Sequence, residues 1–168
     1  MTLQEIIQRD EQISQRITRW SDSRRRYGAA WIAARTGDSW MWLLISAVLI
    51  WQKQSLGFLL LITIAVAALL TAIAKGMIKR ERPSAKWAIS TDKYAFPSGH
   101  AARAGAVSVT LAAALFPWGL LFFLWAVLVG FARVALSRHY LADVAGGLLF
   151  GITIGFVLQI FFGLFLIG

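Results

Sequence analysis

Residues 57–75 read GFLLLITIAVAALLTAIAK, and this stretch decides the fold class. From Gly57 to Ala74 it carries neither a charge nor a proline. A helix of about 20 such residues matches the hydrocarbon thickness of a bilayer, and a helix satisfies its own backbone hydrogen bonds where no water can. Four further apolar segments flank it: about Ser39–Trp51, with Trp40, Trp42 and Trp51 as interfacial anchors, His100–Leu115, Leu120–Leu136 and Tyr140–Ile167. Gln52–Ser55 and Phe116–Gly119 read as short turns, and residues 75–99 as a polar loop. The pattern predicts an all-α fold: a single domain over 1–168, an integral membrane helical bundle of five to six transmembrane helices. Ala101, Ala102, Gly105 and Ala106, with Gly146, Gly147, Gly151 and Gly155, predict close packing between two of them.

Composition agrees. Of 168 residues 58% are hydrophobic, against about 45–50% in soluble domains. The absence of cysteine excludes disulfides, thiolate metal sites and a cysteine nucleophile. A net charge of +9 suits anionic lipid surfaces or anionic substrates. Nucleic acid is not an expected partner, because the basic residues are tied to apolar segments and no nucleic-acid motif occurs. The polar start and late first apolar run predict no cleavable signal peptide. Within residues 1–27, Leu3, Ile6, Ile7, Ile13, Ile17 and Trp20 recur at helical spacing, with Arg9, Arg16 and Arg19 elsewhere on the wheel. They predict an N-terminal amphipathic helix, either in the membrane interface or packed on the protein's own surface.

The chain has two histidines, each in a charged cluster at the end of an apolar run. The clusters are Lys75-x6-Arg82-Pro83, Pro97-Ser98-Gly99-His100 and Arg133-x5-His139-x3-Asp143. With short turns between segments, all three fall on one membrane face. Ionisable groups beside a bilayer are costly and signal function. Cations for phosphate oxygens, two imidazoles and a carboxylate are the parts needed for phosphoryl transfer. Ser98 is placed to cap a helix, and Gly99 to let backbone approach an anion held by the helix dipole. In a helix Asp143 lies one turn from His139 and is expected to hydrogen-bond its ring. Arg103, near one turn past His100, is placed to line the pocket. Lys79, Arg80, Lys86, Lys93 and Arg138 read as snorkelling or headgroup contacts, and Asp38 and Glu81 as structural ion partners.

These residues resemble the type 2 phosphatidic acid phosphatase (PAP2) superfamily of membrane lipid phosphatases, whose signature is Lys-x6-Arg-Pro, Pro-Ser-Gly-His and Ser-Arg-x5-His-x3-Asp. The first two motifs are complete here; the third has Ala132 where the family usually has serine. The motifs cover residues 75–143, and residues 1–74 match only in general character. The resemblance implies that His139 is the nucleophile, forming a phosphohistidine, that Asp143 orients it, and that His100 is the general acid. It implies that Lys75, Arg82, Ser98, Gly99 and Arg133 hold the phosphate, with no metal and no cofactor. The implied substrate is a membrane lipid phosphate or diphosphate, such as phosphatidylglycerol phosphate, phosphatidic acid, a polyprenyl diphosphate or lipid A, in the bacterial inner membrane. Loop 84–96, with Trp87 and Tyr94, and the N-terminal helix are left to select among them. A lipid phosphotransferase with the same site is the alternative. An anion transporter is disfavoured, because the polar residues collect at one face rather than along a path.

The two guides to sidedness conflict. Only Lys53 of the 17 Lys and Arg is expected opposite the site, which by the positive-inside rule puts the site in the cytoplasm. The resemblance implies the periplasm or exterior. A crossing by the N-terminal segment, making six, would reconcile them.

Overall fold

The computed structural model describes residues 2–84 and 93–165. Its helices are α1 Leu3–Trp20, α2 Arg24–Thr36, α3 Ser39–Trp51, α4 Ser55–Ile78, α5 Gly99–Ala114, α6 Leu121–Ala135 and α7 Leu141–Phe165, with a 3-10 turn at Trp118–Leu120 ahead of α6. Trp87 and most of loop 84–96 lie outside the described residues.

Three stretches are long and apolar enough to cross a membrane: Ser55–Ile78, Trp118–Ala135 and Leu141–Gly163. They expose large apolar side chains outward, Leu69 on α4, Leu124 on α6 and Ile160 on α7 each being more than 60% exposed. An outer surface this apolar belongs in lipid. The chain is a membrane protein with an all-helical bundle, as the apolar segments predict.

The centre of the bundle is α5. Its sixteen residues are short for a span, but eleven of them are buried, between α4, α6 and α7. Its closest neighbour is α7, and glycine makes that approach possible. A Cβ on Gly147 would sit 2.6 Å from the Ser98 carbonyl oxygen, and one on Gly151 would collide with the carbonyl of Ala102. With no side chain between them the two backbones touch, and Ser98 N–H donates to the Asp143 carbonyl at 2.9 Å. That bond ties the start of α5 to the start of α7.

The shortness of α3 has a different cause. On α2, Ala30 and Ala34 pack on Ala132, Ala135 and Leu136 at the end of α6. By Thr36 and Gly37 the chain has reached Trp125 and Val129, and Trp42 of α3 stacks on Trp125 and Phe122. Helix α2 therefore lies on α6 while α3 packs mainly on α4, and the chain turns between them at Thr36–Asp38. Sequence reading saw only the apolar α3.

The amphipathic helix predicted over 1–27 ends at Trp20. The Ser21 hydroxyl turns onto the carbonyls of Thr18 and Ala135 at 2.8 and 2.7 Å, and Ser23 caps α2. A Thr2–Glu5 capping box starts α1. One face of α1 packs on the α6–α7 junction: Thr18 Oγ1 donates to Val134 O at 3.1 Å, and Leu141 N–H to Ser14 Oγ at 2.9 Å. A flanking stripe of Ile6, Ile13 and Trp20 stays exposed. One face of α1 is thus packed on the protein's own surface, and the other leaves an apolar stripe exposed. Among the described residues α1 makes no sixth passage, because these bonds hold it at the site end. Among the described residues the chain makes five passages, and Lys53 sits in the turn at the opposite end.

The seam yields a stability prediction. Gly151→Ala forces α7 off α5 and should lower the unfolding temperature in detergent, at a cost of roughly 1–3 kcal/mol or more. Gly28→Ala on α2, where an added Cβ meets nothing within 4 Å, should be neutral or stabilise by about 0.5–1 kcal/mol. Thermal unfolding of both variants checks this.

Candidate active site

The three motifs converge at one end of the bundle. Lys75 lies in the last turn of α4. Lys79, in the left-handed conformation at φ 54°, ends that helix, and Arg80 to Pro83 lead away from it. The Arg82 side chain is buried; Nη1 donates to Arg138 O at 3.3 Å and Nη2 to Tyr94 O at 3.4 Å. The first motif is thereby bonded to the approaches of the other two.

His100 is in the first turn of α5. It lines a cavity of about 380 Å³ with Thr71, Lys75, Lys93, Tyr94, Gly99 and Arg103. Arg103 folds back over Gly99, where an added Cβ would lie 3.2 Å from its guanidinium. Ser98 occupies the N-cap of α5 but does not cap it through its side chain. Its hydroxyl is fully buried, and it and Thr71 Oγ1 have no hydrogen-bond partner among the described residues. Buried polar atoms in this state are rare in folded proteins and call for an occupant.

His139 is 1% exposed and Asp143 fully buried. Asp143 Oδ2 lies 3.8 Å from His139 Nδ1, within ion-pair range but too far for the expected hydrogen bond. The carboxylate is engaged elsewhere: Oδ1 accepts from Arg80 Nη1 at 2.8 Å and Oδ2 from the Tyr140 N–H at 2.8 Å. Arg80 also bonds Asp10 of α1 at 2.7 Å and lies over the Tyr140 ring. Burial works against the charge of Arg80, but hydrogen bonds and attraction from Asp10 and Asp143 outweigh it and raise its pKa. Burial lowers that of Arg138.

The two histidines open onto different cavities. His139 lines one of about 310 Å³ with Pro83, Ser137 and Tyr140 on one wall and Glu11, Ser14, Gln15, Thr18 and Arg19 of α1 on the other. Arg82, Ser98, Arg133 and Asp143 are buried. Arg133 and Arg103 lie close enough to His100 to act on its charge, and Lys75 to act on Asp143. Ala132, at the family's serine position, packs in the apolar cluster with Ala30 and Ala34.

Sequence reasoning missed several neighbours of the site. Arg80 is on Asp143 rather than at the headgroups; its place two residues before Arg82 was the available signal. Thr71 is one turn before Lys75, on the same helix face. Lys93 lines the cavity beside Tyr94. Asp38 is an ion partner of Arg35, as expected, at 3.2 Å, and also lies 2.9 Å from His100 Nε2. No local pattern announces that contact.

The fold and site together define an integral-membrane helical bundle with basic and imidazole side chains gathered around cavities at one end. Residues 56–165 match the PAP2 superfamily, and the chain belongs to it. It is 30% identical over 135 residues to undecaprenyl-diphosphatase from Sulfolobus acidocaldarius, covering 74% of this chain and 65% of that one. It is 30% identical over 120 residues to phosphatidylglycerophosphatase B from Bacillus subtilis, covering 65% and 59%. The chain thus spans less than two thirds of either curated relative. Among solved structures, the transmembrane PAP2 type phosphatidylglycerolphosphate phosphatase from Bacillus subtilis superposes with a TM-score of 0.81 at 24% identity, over 96% of this chain and 88% of that one. Aquifex aeolicus LpxE gives 0.74 at 21%, over 88% and 93%. These two likenesses bear on the fold.

The Asp10–Arg80 contact gives a test of how α1 is held. A hydrogen bond between charged groups contributes roughly 1.5–3 kcal/mol, so Asp10→Ala should weaken docking of α1 on the order of ten- to a hundredfold. Trypsin in detergent should then cut at Arg16 and Arg19 faster than in the parent protein, with the bundle intact.

Proposed function

We propose that this protein is a lipid phosphatase that hydrolyses a phosphomonoester or diphosphate of a membrane lipid in two steps, through a phosphohistidine. The observation that carries this reading is the Ser98–Asp143 backbone bond, which sets the buried His139–Asp143 pair beside the start of α5, where His100 lines a cation-rich cavity, at one end of a membrane bundle. The unpartnered Ser98 hydroxyl supports it, because a phosphate oxygen is an acceptor such a group lacks.

In this reading Lys75, Arg82 and Arg133 neutralise the phosphate oxygens, and Ser98 with the Gly99 N–H at the α5 N-terminus completes the cradle. His139 attacks phosphorus, while Asp143 stabilises the positive charge that its ring acquires. His100 gives a proton to the departing lipid oxygen. It then takes one from the water that cleaves the P–N bond. The lipid tail lies along the apolar flank of α4, and the headgroup is read by loop 84–96, with Lys93 and Tyr94, and by α1. The names of the two relatives support phosphatidylglycerophosphate and polyprenyl diphosphate as the first substrates to try. The bacterial inner membrane is the proposed location.

Protein purified in detergent, with chelator present, should release phosphate from a panel of lipid phosphates and diphosphates. His139→Ala and His100→Ala should each lose at least ~10²-fold in turnover, the scale of general acid–base and nucleophilic roles, while unfolding at the parent temperature. Orthovanadate should compete with substrate. Release of phosphate by His139→Ala at the parent rate would refute the assignment.

A further inference from the structure

Asp38 holds the N-cap position of α3, where a carboxylate ordinarily accepts an N–H from the first helical turn. It makes no such bond. One oxygen, Oδ1, lies 2.9 Å from His100 Nε2 across 62 residues of sequence. The other, Oδ2, accepts from Arg35 Nη1 at 3.2 Å and Trp40 Nε1 at 3.3 Å. The carboxylate is therefore oriented from one side by α2 and α3 and aimed at the imidazole from the other. The break between α2 and α3 is what brings it there.

The chemistry of the pair follows from donor and acceptor counts. An ionised carboxylate only accepts, so Nε2 carries the hydrogen and Nδ1 is left as the nitrogen that exchanges a proton with a ligand. His100 is otherwise surrounded by cations: Arg103 on its own helix, Arg133 on α6, and Lys75 and Lys93 across the cavity beside Tyr94. All of them disfavour a protonated ring. Asp38 is the anion that opposes them at hydrogen-bond distance.

We propose that Asp38 is the positioning residue of the general acid, fixing the tautomer of His100 and stabilising its protonated form; this rests on the phosphatase reading above. In the first step the P–N bond to His139 forms, the P–O bond to the lipid breaks, and Nδ1–H passes its proton to the leaving oxygen. In the second, water oxygen bonds to phosphorus, the P–N bond breaks, and Nδ1 takes the water's proton. Asp38 keeps its charge throughout. Each histidine then has its own acid, and the one for His100 lies outside the three motifs.

The test is a double-mutant cycle on the full-length protein in detergent, with phosphatidic acid or the best substrate of the panel in single-turnover format. Asp38→Asn alone should slow phosphoenzyme formation about a hundredfold, the low end of the range for proton transfer. In a His100→Ala background the same substitution should change the rate by less than about twofold. An equal loss in both backgrounds would mean that Asp38 serves only the fold, and would overturn the proposal. A second readout separates proton donation from folding damage. Phosphoenzyme formation from p-nitrophenyl phosphate, whose phenolate leaves without a proton, should be far less sensitive to Asp38→Asn than formation from the lipid. Equal sensitivity counts against the proposal. If the parent protein forms no phosphoenzyme and releases no phosphate from any lipid, the phosphatase reading itself fails, and the inference with it.

Discussion

The close approach of α5 and α7 is the constraint from which the site follows. Two helices in lipid gain no hydrophobic driving force from meeting, so they rely on packing and backbone proximity. Glycines on α7 let the carbonyls of Ser98 and Ala102 come against its backbone, and the Ser98–Asp143 bond closes the contact. Because Asp143 and His139 are only four residues apart, and Ser98 and His100 two, this seam alone sets the second motif against the third. The first motif is then added through Arg82, whose guanidinium bonds the carbonyls of Arg138 and Tyr94. The three motifs share one geometry because a backbone seam joins two of them and one buried guanidinium ties in the first.

Buried charge is the second organising element. Removing one partner of a buried ion pair costs far more than the pair's net contribution, so such pairs specify arrangement more than they add stability. Asp143 is fully buried and is balanced by Arg80, which Asp10 holds from the other side. The network crosses α1, the α4–α5 connection and α7. Its effect is to leave Asp143 near His139 without the short bond that local helical spacing suggests, since its oxygens are already directed at Arg80 and at the Tyr140 N–H.

Local pattern revealed the long helices and the three motifs because both are written in consecutive residues. Segments such as Gly57–Ala74 declare themselves by hydrophobicity, and Lys75, Arg82, Ser98, Gly99, His100, Arg133, His139 and Asp143 by spacing. What stayed hidden depends on distant partners. Residues 28–38 look like neither a span nor a loop, because half of that passage is alanine and arginine packed on α6. Arg80 and Asp38 resemble ordinary surface charges until the fold supplies Asp143 and His100. Ser98 looked like a cap because serine before an apolar helix usually is one; here its hydroxyl is turned into the buried site instead.

The first helix stands apart from this framework. It adds no passage to the bundle, and its polar attachments are to the ends of α6 and α7 and to Arg80. Yet it furnishes a whole wall of the His139 cavity through Glu11, Gln15 and Arg19. In the proposed phosphatase, the surface that would read the headgroup and the core that would carry the reaction are thus separate pieces of architecture. Such a ledge can be rewritten, residue by residue or as a graft from a relative, while the membrane-buried scaffold is kept. A lineage could drift from one lipid headgroup to another by editing the cavity-facing positions of α1, with the proposed chemistry inherited unchanged.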